Sequence, residues 1–78
     1  VFQYAALFDF LTSFENVAFP LREFTRMNED EIKEKVMGLL ESTGISKEAA
    51  YRLPSELSGG MRKRVGLARG LALDPHIM

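Results

Sequence analysis

A chain of 78 residues has room for at most one small domain, and at this length only a modest fraction of the surface is buried. Its 46% hydrophobic content is ordinary for a soluble globular segment, and its net charge of -1 gives no whole-chain attraction to nucleic acid or an acidic membrane. There is no cysteine, which excludes disulfides and thiolate metal sites, and no apolar run approaches the roughly 20 residues of a membrane span. The first residues lack a charged region ahead of an apolar core, so they do not read as a secretory leader. The sequence starts without methionine and stops in the apolar Pro75-His76-Ile77-Met78, so both ends are expected to be cut from something longer.

In chain order, Val1-Phe2-Gln3 reads as the end of a strand running into a loop. Tyr4 to Leu11 carries Tyr4, Leu7, Phe8, Phe10 and Leu11 with no clean two- or four-residue period, and is expected to be a loop whose apolar surface packs on something else. Thr12 and Glu15 have the spacing of a capping box, and Phe14 to Phe19 continues as helix. Pro20 deletes one backbone hydrogen bond, so it either kinks this helix or ends it near Phe19.

Asn28 opens the next helix, with Glu29, Asp30 and Glu31 in a first turn where the helix dipole favours negative charge. Ile32, Val36, Leu39 and Leu40 form one apolar face, and Lys33, Glu34, Lys35 and Glu41 fall largely opposite. Glu31 and Lys35 are spaced for an ion pair worth about 0.3 kcal/mol when exposed. Gly44 is a good stop. Ser46 can cap a short turn over Lys47 to Ala50, which Leu53-Pro54-Ser55 breaks. The last helix is expected from Met61 to Leu73, with Val65, Ala68 and Ala72 on one side and Leu71 nearby, ending at Asp74-Pro75. His76, the only histidine, reads as a surface or edge residue ahead of a short apolar stretch that could begin a strand.

The chemistry concentrates in Leu57-Ser58-Gly59-Gly60-Met61 and the basic run behind it. Ser58 is a preferred N-cap, and the two glycines leave nothing bulky beside the orphan N–H groups and positive end of a helix. That arrangement suits a phosphate, although a flexible, capped helix entry has the same local sequence. Local chemistry leaves both readings open.

The run from Leu57 through Arg69 resembles the signature motif of the ATP-binding-cassette (ABC) ATPases, and Gln3 stands where that family carries its glutamine-loop. Together with Ala6-Leu7-Phe8 and Glu15 to Glu23, the chain is similar in particular to cassettes of the Mla/Mce type, which energise phospholipid or related hydrophobic-substrate transport across the bacterial envelope. Met61 replaces the commoner glutamine, a departure expected in that branch that leaves the contacting serine and glycines in place.

The resemblance implies a mostly α fold, the helical subdomain of a P-loop ABC ATPase with short strand stubs at the ends. It divides the chain into a glutamine-loop and coupling region (1–11), the helical subdomain (12–56), the signature motif and helix (57–74) and the start of the Walker B strand (75–78). It further implies that Ser58, Gly59, Gly60 and Met61 meet the γ-phosphate of ATP bound by a second ATPase subunit, and that Gln3 senses Mg²⁺ and the attacking water in its own subunit. Tyr4, Leu7, Phe8 and Phe10 then take a coupling helix of a transmembrane permease, with plain core packing as the competing account of that loop. The implied location is peripheral, on the cytoplasmic face of the inner membrane. No G-x-x-x-x-G-K-[ST] phosphate loop occurs, so this chain alone is expected neither to bind ATP tightly nor to hydrolyse it.

Two other classes compete. Arg62, Lys63, Arg64 and Arg69 could contact nucleic-acid phosphates, but the cluster is short, lacks interleaved aromatics and sits in a chain of acidic balance, so no nucleic acid is expected. A helical protein-interaction module would dock through Phe8, Phe10 and Phe14. Within the resembled family, a non-transport cassette of translation or DNA repair is the remaining alternative.

Overall fold

The computed structural model describes residues 7–72, and within them the chain is a helical bundle without strands. The strand stubs expected at Val1–Gln3 and after Pro75 lie outside the described residues, as do Gln3, Tyr4, His76 and the end of the last helix. Helix α1 spans Ser13–Phe24, α2 Glu29–Ser42, α3 Lys47–Ala50 and α4 Gly59–Ala72, with a 3-10 turn at Pro54–Glu56 leading into α4.

Each start has a side-chain reason. At α1 the Glu15 N–H donates to Thr12 Oγ1 at 3.2 Å while the Thr12 N–H donates to the Glu15 carboxylate at 3.1 Å, so two orphan donors are satisfied reciprocally. Asn28 and Glu31 repeat the device at α2, at 2.8 and 2.9 Å. In this arrangement Glu31 turns back to its own N-cap, and no ion pair joins it to Lys35 as the spacing had suggested. An ion pair links α1 to α2 instead, with Arg22 Nη2 2.9 Å from Glu29 Oε1.

Pro20 does not end α1, which runs on to Phe24. The proline is buried beside Val17 and Leu21, and tertiary packing of that face outweighs one missing backbone bond. At the other end of α2, Gly44 has φ +87°, and the Ile45 N–H reaches the Leu40 carbonyl at 2.8 Å as the Gly44 N–H reaches Glu41 at 3.0 Å. This is a Schellman ending: it needs a residue that tolerates a left-handed backbone, and it folds Ile45 back onto the core.

The core is formed by Val17, Ala18 and Leu21 of α1, Ile32, Val36 and Leu40 of α2, and Val65, Ala68 and Ala72 of α4. Each large aliphatic side chain fully withdrawn from water contributes about 1.5–3 kcal/mol, and small residues at Gly66, Ala68 and Ala72 give α4 a face that can approach its neighbours closely. Helix α4 packs on α1 and α2 together, so its start is held by the whole bundle. The structure begins α4 at Gly59, two residues earlier than the expected Met61, because the Ser58 cap draws both glycines into the first turn.

Candidate phosphate-facing helix start and aromatic loop

Ser58 precedes α4 and is exposed, and its Oγ accepts the Met61 N–H at 3.1 Å. Its carbonyl accepts the Arg62 N–H at 2.9 Å, the first bond of the helix ladder. The N–H groups of Gly59 and Gly60 precede that bond and have no intrahelical acceptor. The serine hydroxyl still has its hydrogen to donate, because the cap uses only an oxygen lone pair. Donors from one hydroxyl and two adjacent amides therefore gather at the positive end of a 14-residue helix.

Packing among the described residues gives no steric reason for the glycines. A Cβ built on Gly60 meets no heavy atom within 4 Å, and one on Gly59 meets only the Arg62 guanidinium, at 3.9 Å. Met61 is half-buried against the core and anchors the first turn from below. Arg62 turns the other way: its Nη1 donates to the Leu57 carbonyl at 2.9 Å and the Pro54 carbonyl at 3.4 Å, bracing the turn that delivers Ser58. That role, and the position of Arg69 over an aromatic ring, breaks up the basic cluster read as a nucleic-acid surface.

The second element is the loop before α1, where Leu7 and Phe8 are half-buried and Phe10 is 77% exposed. Phe8 sits at its centre, with Phe10 at 5.8 Å, Phe19 edge-on at 5.2 Å and the Arg69 guanidinium 4.8 Å above its ring. Phe14 belongs elsewhere, stacked on Tyr51 at 5.9 Å. The structure thus groups Ser58, Gly59, Gly60 and Met61 at one helix start and Leu7, Phe8 and Phe10 in one loop. Gln3 and Tyr4 fall outside the described residues.

Sequence reasoning missed Asn16 and took Arg69 only as part of a basic cluster, whereas both meet the loop. Asn16 is fully buried and bonds back to the loop. Its signal was available: it shares the inward stripe of α1 with Pro20, one turn on, where a polar side chain needs a partner. The contact of Arg69 with Phe8, far away in sequence, carried no comparable mark. Among the described residues no group of histidine, cysteine or carboxylate side chains could hold a metal, and no helix is long and apolar enough to cross a membrane.

This helix start and helical bundle belong to a known class. The ABC transporter family matches residues 1–78, and the chain belongs to that family. It is similar to the intermembrane phospholipid transport system ATP-binding protein MlaF of Haemophilus influenzae, 49% identical over the whole chain and 29% of that protein. It is equally similar, at 49% over the whole chain and 22% of the relative, to the "Probable ribonucleotide transport ATP-binding protein mkl" of Mycobacterium leprae. The chain therefore spans less than a third of the length of these curated relatives. In structure it matches the ATP-binding cassette MJ0796, solved as a post-hydrolysis dimer with ADP and Pi, with TM-score 0.83 and 36% identity over 92% of this chain and 32% of that one.

Proposed function

We propose that this chain is the helical and signature part of an ATP-hydrolysing transporter subunit, and that its Ser58–Gly60 turn grips the γ-phosphate of ATP held by a second copy. The observation that carries the proposal is the pair of glycines at the start of α4: among the described residues a Cβ on Gly60 would meet nothing within 4 Å, and one on Gly59 would meet only the guanidinium end of Arg62 at an ordinary contact distance. A glycine in a helix costs up to about 1 kcal/mol relative to alanine, and no neighbour among the described residues requires either one. Their use is to admit something from outside, and the donors beside them select an anion. As charge develops on the transferring phosphoryl group, preorganised donors at a helix start stabilise it without having to reorient.

In this reading ATP and Mg²⁺ bind to the full-length protein, where Gln3 acts on the metal and the attacking water. The loop with Tyr4, Leu7, Phe8 and Phe10 receives a cytoplasmic segment of a transmembrane permease, and the subunit sits peripherally on the cytoplasmic face of the inner membrane. The cargo is phospholipid or a similar hydrophobic molecule, supported by the likeness to MlaF and by the Met61 form of the signature. The mkl relative bears a ribonucleotide name, so transfer of labelled phospholipid between vesicles by the full-length complex, against a nucleotide-uptake control, decides the cargo.

Sedimentation of the full-length protein with and without ATP tests the phosphate grip. The proposal expects an ATP-dependent dimer that Gly60→Asp abolishes, because a carboxylate then occupies the phosphate position. An ATP-dependent dimer of undiminished affinity in Gly60→Asp refutes it.

A further inference from the structure

Asn16 is fully buried, and its side chain faces backwards onto the loop that precedes α1. Oδ1 accepts the Phe8 N–H at 2.8 Å, and Nδ2 lies 3.2 Å from the Phe8 carbonyl, 3.1 Å from that of Leu11 and 3.1 Å from that of Thr12. One amide thus grips both backbone groups of Phe8, as a neighbouring strand would, and fixes where the loop turns. Across the ring of the same residue stands Arg69 of α4, its guanidinium 4.8 Å from the centroid. Phe8 is held by its backbone from α1 and by its ring from the helix that Ser58 caps.

Because α4 is a continuous helix from Gly59 to Ala72, a displacement of Phe8 acts on the same rigid element that carries the signature turn. We propose that Asn16 is a positioning residue for coupling: it seats Phe8 under Arg69, so that a partner pressing on the loop shifts α4 and the donors at its start. The inference deepens the proposed function and rests on it, since it takes the loop as the permease contact and Ser58 as the phosphate contact. A loop anchored only for stability needs its backbone bonds but not the ring contact to α4, and this difference can be measured.

The experiment compares Asn16→Asp with Val36→Ala in the full-length protein assembled with its membrane subunit. Aspartate keeps an acceptor for the Phe8 N–H but has no donor for the three carbonyls, whereas Val36 is a fully buried apolar residue of α2 that makes no side-chain hydrogen bond and serves as the reference for lost stability. With losses of turnover compared at matched loss of Tm, Asn16→Asp lowers the kcat of the complex on the order of tenfold more than Val36→Ala, while the KM for ATP stays within about twofold, as for a misplaced rather than a missing contact. Equal kcat losses at equal Tm overturn the inference. Amide hydrogen exchange of the unmutated protein gives a readout independent of any variant: the Phe8 N–H exchanges as slowly as amides in the middle of α4, and exchange as fast as at Phe10 overturns the inference. Failure of the membrane subunit to stimulate even the unmutated protein sinks the proposed function together with this inference. Stimulation that Asn16→Asp leaves equal to that of Val36→Ala sinks this inference alone.

Discussion

The hydroxyl of Ser58 stands 3.1 Å from the backbone N–H of Met61, so the residue assigned to grip phosphate is also the residue that starts α4. The cap and the proposed phosphate contact would use different parts of one group, a lone pair for the cap and the hydrogen for the ligand. They can therefore be separated by substitution. Ser58→Ala removes the cap and costs about 1 kcal/mol of stability, read as a lower denaturation midpoint of the full-length protein, whereas Ser58→Asn keeps the cap and the midpoint.

Gly44→Ala destabilises the bundle by about 1–2 kcal/mol, since a φ of +87° suits glycine and a Cβ there also approaches Arg64 Nη1 at 3.4 Å. Urea denaturation measures the loss. Gly38→Ala is the control: its built Cβ meets nothing within 4 Å and it lies inside α2, so it is neutral to stabilising by up to about 1 kcal/mol.

Leu40→Ala costs about 2–5 kcal/mol, because Leu40 is 1% exposed in the core and truncating it leaves a cavity there. Thermal unfolding followed by circular dichroism reads it as a lower Tm with the helical spectrum of the native state retained at low temperature.

The hydrogen bond from Arg22 holds the Glu29 carboxyl below its ordinary value of 4.5, and the same contact raises Arg22. A depressed carboxylate contributes stability above its unfolded value and loses that contribution as pH falls through the folded one. The unmutated protein and Glu29→Gln should thus differ slightly in stability at neutral pH and converge as the solution is acidified below the ordinary carboxylate value. Because the pair is exposed, the neutral-pH difference also shrinks in high salt.

Much of the bundle was legible in the sequence because its signals are local. Thr12/Glu15, Asn28 and Ser46 each lie within one turn of the amide they cap, and Gly44 marks its turn through its own backbone. The apolar spacing of Ile32, Val36, Leu39 and Leu40 likewise needs nothing from elsewhere in the chain. What could not be read depends on long-range packing. Pro20 is carried inside α1 by burial, the Ser13 N–H donates to the Arg52 carbonyl at 2.9 Å across the fold, and Arg69 meets Phe8 from the opposite end of the chain. The Ser58–Gly60 turn proposed to meet phosphate was legible as a pattern, and the structure adds that no neighbour among the described residues explains its glycines.

ATP turnover by the full-length protein carrying Ser58→Asp tests the central claim most directly. Aspartate is as good an N-cap as serine, so the helix start survives, but its charge opposes the γ-phosphate at the place assigned to it. The account predicts an unchanged denaturation midpoint with kcat/KM reduced at least about a hundredfold, the scale of losing one preorganised donor. Turnover at the unmutated rate by a correctly folded Ser58→Asp protein would contradict it.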